Sequence, residues 1–279
     1  MGLLSSYTIR RCIIADPGHV ILSADFDQIE LRIAAALARE QSLMDAARRG
    51  ESLHKIAAVA LFGEGYTPDQ YRTTKAGNFG WLYGIGANKM AVQTGIPITE
   101  AAAFLKNYNN RFRAMNAFKR TWQNKVLASA LNRAELAAYR RLQNRYFELR
   151  GDTKEGRAAR NAVKIEIDRL CYHKIGFVTT EFGRRLPVEA SKAYKAVNYI
   201  VQSSARDVLA AAMLDVMDDA ELEPTVLLPI HDELLGQAPR HIAEEIAKRY
   251  GAVMSRNFHG VPLTATGKVY GRSWGHGYR

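Results

Sequence analysis

Short apolar runs alternate with longer stretches of helical periodicity along the chain, and this pattern predicts a mixed fold. Residues 19–26 form a short apolar run with Asp25 near its end, which predicts a buried strand. Two apolar runs within 225–238 flank His231 and Asp232 and predict a hairpin. Few strands separated by helices favour an α+β fold with a small antiparallel sheet.

The helical periodicity continues over most of the remaining chain. Thr67 followed by Pro68 is a strong start signal, because proline suits the first helical position. Helices are predicted over 28–50, 52–61, 67–83, 98–112, 114–127, 190–220 and 241–258, with one or two long charged helices over 128–170, broken near Gly151 and Asp152. A hairpin over 175–189 and a strand over 261–269 complete the prediction.

The net charge of the chain indicates the kind of partner that it binds. The chain has 279 residues with 47% hydrophobic and 24% charged positions, which is ordinary globular composition, but its net charge is +11. A basic surplus of this size indicates a polyanionic partner, of which nucleic acid is the commonest. The alternative is a basic protein without such a partner.

Cysteine usage and hydropathy exclude several other classes of protein. The two cysteines, Cys12 and Cys171, form no CxxC pair, which excludes a disulfide framework and a cysteine zinc site. The first residues lack the apolar stretch of a signal peptide, and no run reaches the roughly 18 apolar residues of a membrane span. We therefore expect a cytoplasmic protein without a membrane partner.

Asp25 and Asp232 both interrupt apolar strand patterns, where an acid is costly unless it is paired or bound to metal. Magnesium takes one or two protein carboxylates and leaves other positions for phosphate and water. Two such ions, about 3.5–4 Å apart, serve phosphoryl transfer by activating the attacking hydroxyl and stabilising the leaving oxygens. The alternative interpretation of each aspartate alone is a turn or cap residue.

Arg72, Lys75, Phe79 and Tyr83 are spaced by three, four and four, which places them on one face of a single helix. Two cations followed by two aromatic rings suit a nucleoside triphosphate, with cations at the phosphates and rings at the sugar and base. The alternative is a core aromatic stripe with the two cationic side chains snorkelling at one end.

Three longer motifs carry a family resemblance. Residues 25–32 read DFDQIELR, residues 72–84 read RTTKAGNFGWLYG and residues 231–233 read HDE. In this order they resemble motifs A, B and C of the family A (DNA polymerase I type) DNA polymerases. The resemblance continues through Gly183-Arg184-Arg185 to Asn198 and Gln202, so it spans nearly the whole chain, and it indicates a bacterial or phage source.

The resemblance implies a palm and a helical fingers subdomain, together with roles for individual residues. Asp25, Asp232 and the Phe26 carbonyl would bind two Mg²⁺ ions, with Mn²⁺ as an alternative, and Lys75 would grip the triphosphate and protonate the leaving pyrophosphate. Nucleotide binding would fall to Gln28, Ile29, Glu30, His54, Arg72, Lys75, Phe79 and Tyr83. Contacts with primer and template would come from Arg184, Arg185, Lys195, Asn198, Gln202, His231 and Glu233.

Several positions depart from the family pattern. Tyr71 stands where the family usually has an arginine, and Arg72 on nearly the same face is the candidate replacement. Asp27 replaces a usual serine and adds negative charge beside the metal site, while Phe26 replaces a tyrosine. Tyr194 stands where a DNA-binding arginine is usual, with Lys195 beside it.

Four segments follow from the resemblance. We expect a palm part with motif A over 1–65, helical fingers with motif B over 66–125, a basic helical insert over 126–174, and a palm part with motif C over 175–279. The insert holds eleven Lys and Arg against six acids, so it is either a solvated helix pair or an arm that binds DNA or a subunit. The family's thumb and exonuclease domains are expected to be absent, and a second polypeptide would supply them.

Three functions remain open at this point. The first is a DNA-templated DNA polymerase core that uses dNTPs and a primer-template. The second is a single-subunit RNA polymerase, against which Glu30 argues because it would obstruct a ribose 2′-hydroxyl. The third is a polymerase-like protein that binds DNA without catalysis, an alternative that Tyr71 supports.

Overall fold

The computed structural model describes residues 9–149, 151 and 153–277. These residues form two compact units. The first contains the described residues up to 37, then 41–53 and those from 204 onward, and the second contains 38–40 and 54–203. Residues 54–65 and 175–203 thus cluster with the second unit, whereas the sequence grouped them with the palm.

The described part of the chain contains both helices and strands. The α-helices are α1 (Ile29–Ala38), α2 (Gln41–Arg48), α3 (Leu53–Phe62), α4 (Pro68–Leu82), α5 (Ala87–Thr94), α6 (Ile98–Arg111), α7 (Arg113–Ala130), α8 (Arg133–Glu148), α9 (Lys154–Leu170), α10 (Ala196–Met217) and α11 (Ala243–Met254). The strands are β1 (His19–Phe26), β2 (Ile175–Thr179), β3 (Arg185–Glu189), β4 (Val226–Ile230), β5 (Glu233–Pro239), β6 (Arg256–Phe258), β7 (Val261–Leu263) and β8 (Ala265–Gly271). Short 3-10 helices cover Ala190–Lys195, Glu223–Thr225 and Trp274–Gly277.

A four-stranded antiparallel sheet in the order β4-β5-β1-β8 forms the centre of the first unit. β1 lies between two neighbours, and its residues 20–24 are all buried, which explains its nearly continuous apolar run. The predicted strand over 19–26, the hairpin within 225–238 and the α+β class are therefore confirmed.

Helix α11 packs very closely against β8 because two glycines remove side chains from the contact. A Cβ atom on Gly267 would lie 1.9 Å from the carbonyl oxygen of Ala247, and one on Gly251 would lie 2.8 Å from the carbonyl oxygen of Ala265. The helix backbone thus rests almost directly on the strand beside β1.

Replacing Gly267 with alanine should destabilise the protein by at least about 1–3 kcal/mol, because the new methyl group meets backbone that cannot rotate away. Thermal unfolding followed by circular dichroism measures this change. Gly65→Ala is the matched control, since a Cβ there has nothing within 4 Å. Equal melting temperatures for the two variants would contradict the close packing.

The second unit is mostly helical. Helix α4 begins at a capping box, in which Thr67 Oγ1 accepts from the Gln70 amide at 3.2 Å and Gln70 Oε1 accepts from the Thr67 amide at 2.8 Å. The hairpin of β2 and β3 packs on α7, where Gly176 approaches the Val126 carbonyl closely. Helices α8 and α9 pack on each other.

Most predicted helices are confirmed within a few residues, but several boundaries are wrong. The predicted helix 28–50 is two helices, because Arg39 adopts a left-handed conformation with φ 56°. Helix α5 was not predicted; it begins after Gly86 and ends at left-handed Gly95. The predicted helix 241–258 ends at Met254, after which β6 pairs with β7, and the predicted strand 261–269 is β7 and β8.

No helix in the described part of the chain is both long enough and apolar enough to cross a membrane.

Candidate active site

The two predicted metal-binding aspartates lie at the same end of the central sheet. Asp25 is the penultimate residue of β1 and pairs in register with Glu233 of β5 and Thr266 of β8. Asp232 lies in the two-residue turn between β4 and β5, and its carbonyl oxygen accepts a hydrogen bond of 3.2 Å from the Phe26 amide. This bond fixes the turn against the end of β1.

The turn requires an unusual backbone conformation at His231. Ile230 and Glu233 pair directly, so only His231 and Asp232 remain to reverse the chain. Two-residue hairpin turns match the twist of the strands only when a central residue has positive φ, and His231 has φ 59°. The short turn thus places Asp232 at the tip of the hairpin.

Burial and neighbouring acids change the acidity of Asp25. Burial is the largest cause, followed by the charges of Asp232 and Glu233, and together they raise its pKa to about 7 despite the opposing charge of Lys268. Acids that repel each other in this way are held ionised most readily by a bound cation. The end of the sheet therefore has the electrostatics of a cation site.

The donor set fits magnesium. Asp25, Asp232 and the Phe26 carbonyl offer hard oxygen atoms, but no group of three or more His, Cys, Asp or Glu residues among the described residues is arranged to hold a metal ion. Magnesium accepts few protein carboxylates and fills its remaining positions with water and phosphate oxygens. The site thus suits an ion that a substrate completes.

Glu233 belongs to a hydrogen-bonded group that runs across the sheet. Its Oε1 accepts from the Tyr270 hydroxyl at 3.0 Å, and that hydroxyl lies 3.0 Å from the hydroxyl of the fully buried Ser23. These bonds hold Glu233 beside Asp25. Ser23 and Tyr270 were not among the predicted site residues, because a separation of 247 positions leaves no local sequence signal.

The carboxylate of Asp27 is held by two threonines. The hydroxyls of Thr264 and Thr266 each donate to Asp27 Oδ2 at 3.1 Å. Among the causes that raise the pKa of Asp25, the charge of Asp27 is the smallest. Hydrogen bonds from β8 and from the residue before it therefore hold the Asp27 carboxylate in place.

His231 lies between two carboxylates. Its Nδ1 is 2.9 Å from Asp232 Oδ1 and its Nε2 is 3.9 Å from Glu30 Oε1. Burial lowers the pKa of His231, but the hydrogen bond and the charge of Asp232 outweigh it, so the pKa is raised. Glu30 itself is buried at the start of α1.

Gln28 and Ile29, which precede Glu30, show different environments. Gln28 is half-buried with φ 52°, whereas the Ile29 side chain is only 1% exposed. Any contact of Ile29 with a nucleotide would therefore involve its backbone.

In the second unit, α4 presents the predicted stripe on its open side. Lys75 and Tyr83 are exposed and Phe79 is half-exposed, while Asn78 and Trp81 are buried on the other side. The exposure of Tyr83 argues against a core aromatic stripe, whereas Phe79 is partly buried against His54. Lys75 and Phe79 on α4, with Tyr83 at its C-cap, form a surface open to a ligand.

Arg72 extends this face toward the start of α4. Its side chain is 78% exposed and forms an ion pair with Asp69 one turn earlier. Tyr71, at the position where the family has arginine, stacks on Tyr66 with ring centroids 6.0 Å apart. The replacement of that arginine by Arg72 stays a prediction.

His54 packs beneath the exposed face, against Asn78 and Phe79. Its Nδ1 lies 2.7 Å from the side-chain Nδ2 of Asn78, and its ring centroid is 5.4 Å from that of Phe79. Burial, and then the charge of Lys75, lower the pKa of His54 to about 4. The imidazole is therefore neutral at neutral pH, so it positions Phe79 and Asn78 and adds no positive charge for a phosphate.

A cavity of about 750 Å³ opens beside the end of α4. The Tyr83 hydroxyl accepts from Gln202 Nε2 at 2.8 Å, and Gly84, with φ 69°, lets Tyr194 approach closely. The lining residues are Phe79, Gly80, Tyr83, Gly84, Ile85, Gly86, Lys89, Val92, Gln93, Tyr194 and Lys195. Aromatic rings with two lysines suit a nucleic-acid strand.

Asn198 lies near the start of α10, in the same unit. Its side chain is 7% exposed, and its amide nitrogen is buried without a hydrogen-bond partner within the described ranges. A buried donor of this kind is costly unless a ligand satisfies it.

The hairpin of β2 and β3 presents the two predicted arginines. Gly183 adopts φ 79° in the loop, and the Arg184 amide donates to Thr180 Oγ1 at 3.1 Å. The Arg185 guanidinium lies 3.8 Å from the centroid of the Phe177 ring. Both arginine side chains are exposed, Arg184 in the loop and Arg185 at the start of β3.

The predicted site residues thus fall into two groups. The first unit holds Asp25, Phe26, Gln28, Ile29, Glu30, His231, Asp232 and Glu233. The second unit holds His54, Arg72, Lys75, Phe79, Tyr83, Arg184, Arg185, Lys195, Asn198 and Gln202. Contacts join Asp25, Glu30, His231, Asp232 and Glu233 in the first unit, and His54 with Phe79 and Tyr83 with Gln202 in the second.

Comparison with known proteins covers nearly the whole chain. The profile of DNA polymerase family A matches residues 4–276. A DNA polymerase of Mycobacterium phage D29 is 32% identical over 276 residues, which cover 98% of this chain and 38% of the phage protein. A thermostable DNA polymerase I of Thermus thermophilus is 30% identical over 270 residues, which cover 91% of this chain and 27% of that protein.

A solved structure shows the same fold. The POL domain of Pol1 from M. smegmatis, in complex with DNA primer-template and dNTP, superimposes with a TM-score of 0.71 at 24% identity. The match covers all of this chain and 44% of that one. Because the family profile extends through both units and all three motifs, this chain belongs to DNA polymerase family A.

Proposed function

We propose that this chain catalyses template-directed transfer of a deoxynucleotide from a dNTP to the 3′-hydroxyl of a DNA primer. The observation that carries the proposal is the pair of aspartates at one end of the sheet, where burial and then the neighbouring acids raise the pKa of Asp25 to about 7. The chain spans 38% of the phage polymerase, 27% of the Thermus polymerase and 44% of the M. smegmatis chain, so the activity of a whole polymerase is part of this proposal.

The reaction joins the primer 3′-oxygen to the α-phosphorus and breaks the bond from that phosphorus to the pyrophosphate oxygen. The 3′-hydroxyl loses its proton to solvent, and the pyrophosphate leaves with the electrons of the broken P–O bond. Asp25, Asp232 and the Phe26 carbonyl would hold two Mg²⁺ or Mn²⁺ ions, which when bound favour ionisation of the hydroxyl and neutralise the leaving group. Glu233, which accepts a hydrogen bond from Tyr270, would help to position the residues at this acidic end of the sheet.

The face of α4 would bind the nucleotide. Lys75 would supply positive charge for the triphosphate and would protonate the leaving pyrophosphate. Phe79 would stack on the sugar and base, and the neutral ring of His54 holds Phe79 in position. Tyr83, bonded to Gln202, would lie at the template position, with Lys195 and the neighbouring cavity along the template strand.

We also propose that a further polypeptide assists the reaction by gripping the primer-template. The relatives extend well beyond the matched region, which supports a contribution from additional protein. A cytoplasmic location remains a prediction from the sequence.

Primer extension by the purified chain tests the proposed function. We expect incorporation of dNTPs on a primed DNA template with Mg²⁺, and none when EDTA replaces the metal. If the purified chain does not extend the primer, the reaction is repeated with proteins of the source cell added. Failure to extend the primer with every addition would contradict the proposal. DNA binding without any extension would favour the non-catalytic alternative.

Selection of deoxynucleotides is expected to depend on Glu30. Because its buried carboxylate would obstruct a ribose 2′-hydroxyl, Glu30→Ala should weaken discrimination against rNTPs by about 10–200-fold. The ratio of kcat/KM for dNTP and rNTP measures this effect. Glu30→Gln keeps the bulk and should preserve most of the discrimination. A wild-type preference for rNTPs would instead support the RNA polymerase alternative.

A further inference from the structure

Helix α8 has one packed face and one open face, and none of its residues is fully buried. The half-buried positions include Glu135, Tyr139, Leu142 and Tyr146, which recur at helical spacing on one side. The four arginines of α8 are all exposed: Arg133, Arg140, Arg141 and Arg145. Helical spacing puts Arg133, Arg140 and Arg141 on the other side and Arg145 at its edge, so the open face and its edge carry four positive charges.

Hydrogen bonds fix both ends of α8. Asn132 and Glu135 form a capping box at the start, with hydrogen bonds of 2.9 Å in both directions. At the other end, the Leu149 carbonyl accepts from Arg160 Nε at 2.8 Å, and the Arg160 guanidinium lies 5.4 Å from the Tyr146 ring centroid. The arginines are thus carried by a helix fixed at both ends.

The acids near α8 do not neutralise these arginines equally. Glu135 lies on the packed side, where it caps the helix and binds Lys174 at 2.8 Å. Glu148 is the one acid of α8 on the open face. The face consequently keeps a strong positive surplus.

The arginines are spread over a length that suits a charged polymer. From Arg133 to Arg145 the helix rises by about 18 Å, at roughly 1.5 Å per residue. One DNA strand carries a charge about every 3.4 Å, and duplex DNA about every 1.7 Å. Phe147, 69% exposed, lies at the end of the helix, so the face offers charge rather than a series of stacking rings.

We propose that the open face of α8 binds the phosphate backbone of duplex DNA. The proposal rests on the proposed function in that it takes DNA as the substrate, and it adds a binding surface outside the motifs. Lys174, the residue before β2, binds Glu135 of α8, and the same unit carries these arginines and the hairpin with Arg184 and Arg185.

Equilibrium binding of a labelled DNA duplex, measured by fluorescence anisotropy in EDTA without dNTP, tests this surface. For Arg140→Gln/Arg141→Gln we expect binding weaker by on the order of 100-fold at about 50 mM salt. The slope of log K against log salt should fall in magnitude by about 1.8, since each lost duplex phosphate contact removes about 0.9. Arg133→Gln/Arg145→Gln should show the same changes. This second variant replaces Arg140→Gln/Arg141→Gln if the latter has a lower melting temperature than the wild type.

Lys154→Gln/Lys164→Gln on α9 is the matched control, because it removes two exposed charges from the neighbouring helix. It should change affinity by less than about twofold. Equal losses of duplex affinity in the α8 and α9 variants, or no loss in either, would overturn the proposal. It would also be overturned if the α8 variants bound single-stranded DNA more weakly but duplex DNA as well as the wild type. Because binding is measured without catalysis, a failure here leaves primer extension, and hence the proposed function, unaffected.

Discussion

Asp232→Asn is expected to lower the rate of primer extension by about 10³-fold or more while the protein remains folded. Metal ions contribute several kcal/mol to such transition states, and each difference of about 1.36 kcal/mol corresponds to a factor of ten. Asparagine keeps the size of the side chain in the turn but removes a charged oxygen ligand. Single-turnover extension with Mg²⁺ measures the loss.

Two further measurements separate loss of metal binding from loss of structure. Without metal, Asp232→Asn should melt at or above the wild-type temperature, because Asp25 loses a repelling neighbour. Mg²⁺ should raise the melting temperature of the wild type more than that of the variant. Asp218→Asn removes an exposed acid from the same unit and should leave extension unchanged. Extension by Asp232→Asn at a tenth of the wild-type rate would exclude the assigned role.

Lys75→Ala is expected to reduce kcat/KM for dNTP by about 10–150-fold, as a charge-assisted hydrogen bond contributes about 1.5–3 kcal/mol. Lys75 is exposed on α4 one turn before Phe79, and its charge reaches His54. If it also protonates the leaving pyrophosphate, kcat falls together with kcat/KM.

Steady-state kinetics over a range of dNTP concentrations separate these contributions. Lys75→Arg should recover part of the phosphate binding because it restores the charge. Lys106→Ala, which removes an exposed lysine from α6 in the same unit, should behave as wild type. Unchanged kinetics for Lys75→Ala would remove this residue from the nucleotide site.

The elements with strong local signals were predicted correctly from the sequence. The buried run of β1, the start of α4 at Thr67 and Pro68, and the hairpin around Asp232 all depend on near neighbours in the chain. The helix ends at Arg39 and Met254 were missed, because a left-handed residue and the pairing of β6 with β7 decided them. Tertiary contacts override local propensity at such positions.

The candidate site divides in the same way. The periodicity of about 3.6 residues by itself put Lys75, Phe79 and Tyr83 on one face, and the positions of Asp25 and Asp232 at the ends of apolar runs marked them as unusual. Only the sheet register set Glu233 opposite Asp25, and only the fold brought Tyr270 to Ser23 and Asn78 to His54.

The sequence by itself determined the motifs, the helical stripe and the basic character of residues 126–174. The tertiary structure decided which charges are compensated. It bonds Asp27 to two threonines, makes His54 neutral by burial, and leaves the arginines of α8 exposed while Glu135 is used at the helix cap. The physical reason is that pKa values and charge depend on burial and distance, which residues far apart in the chain create when they pack together.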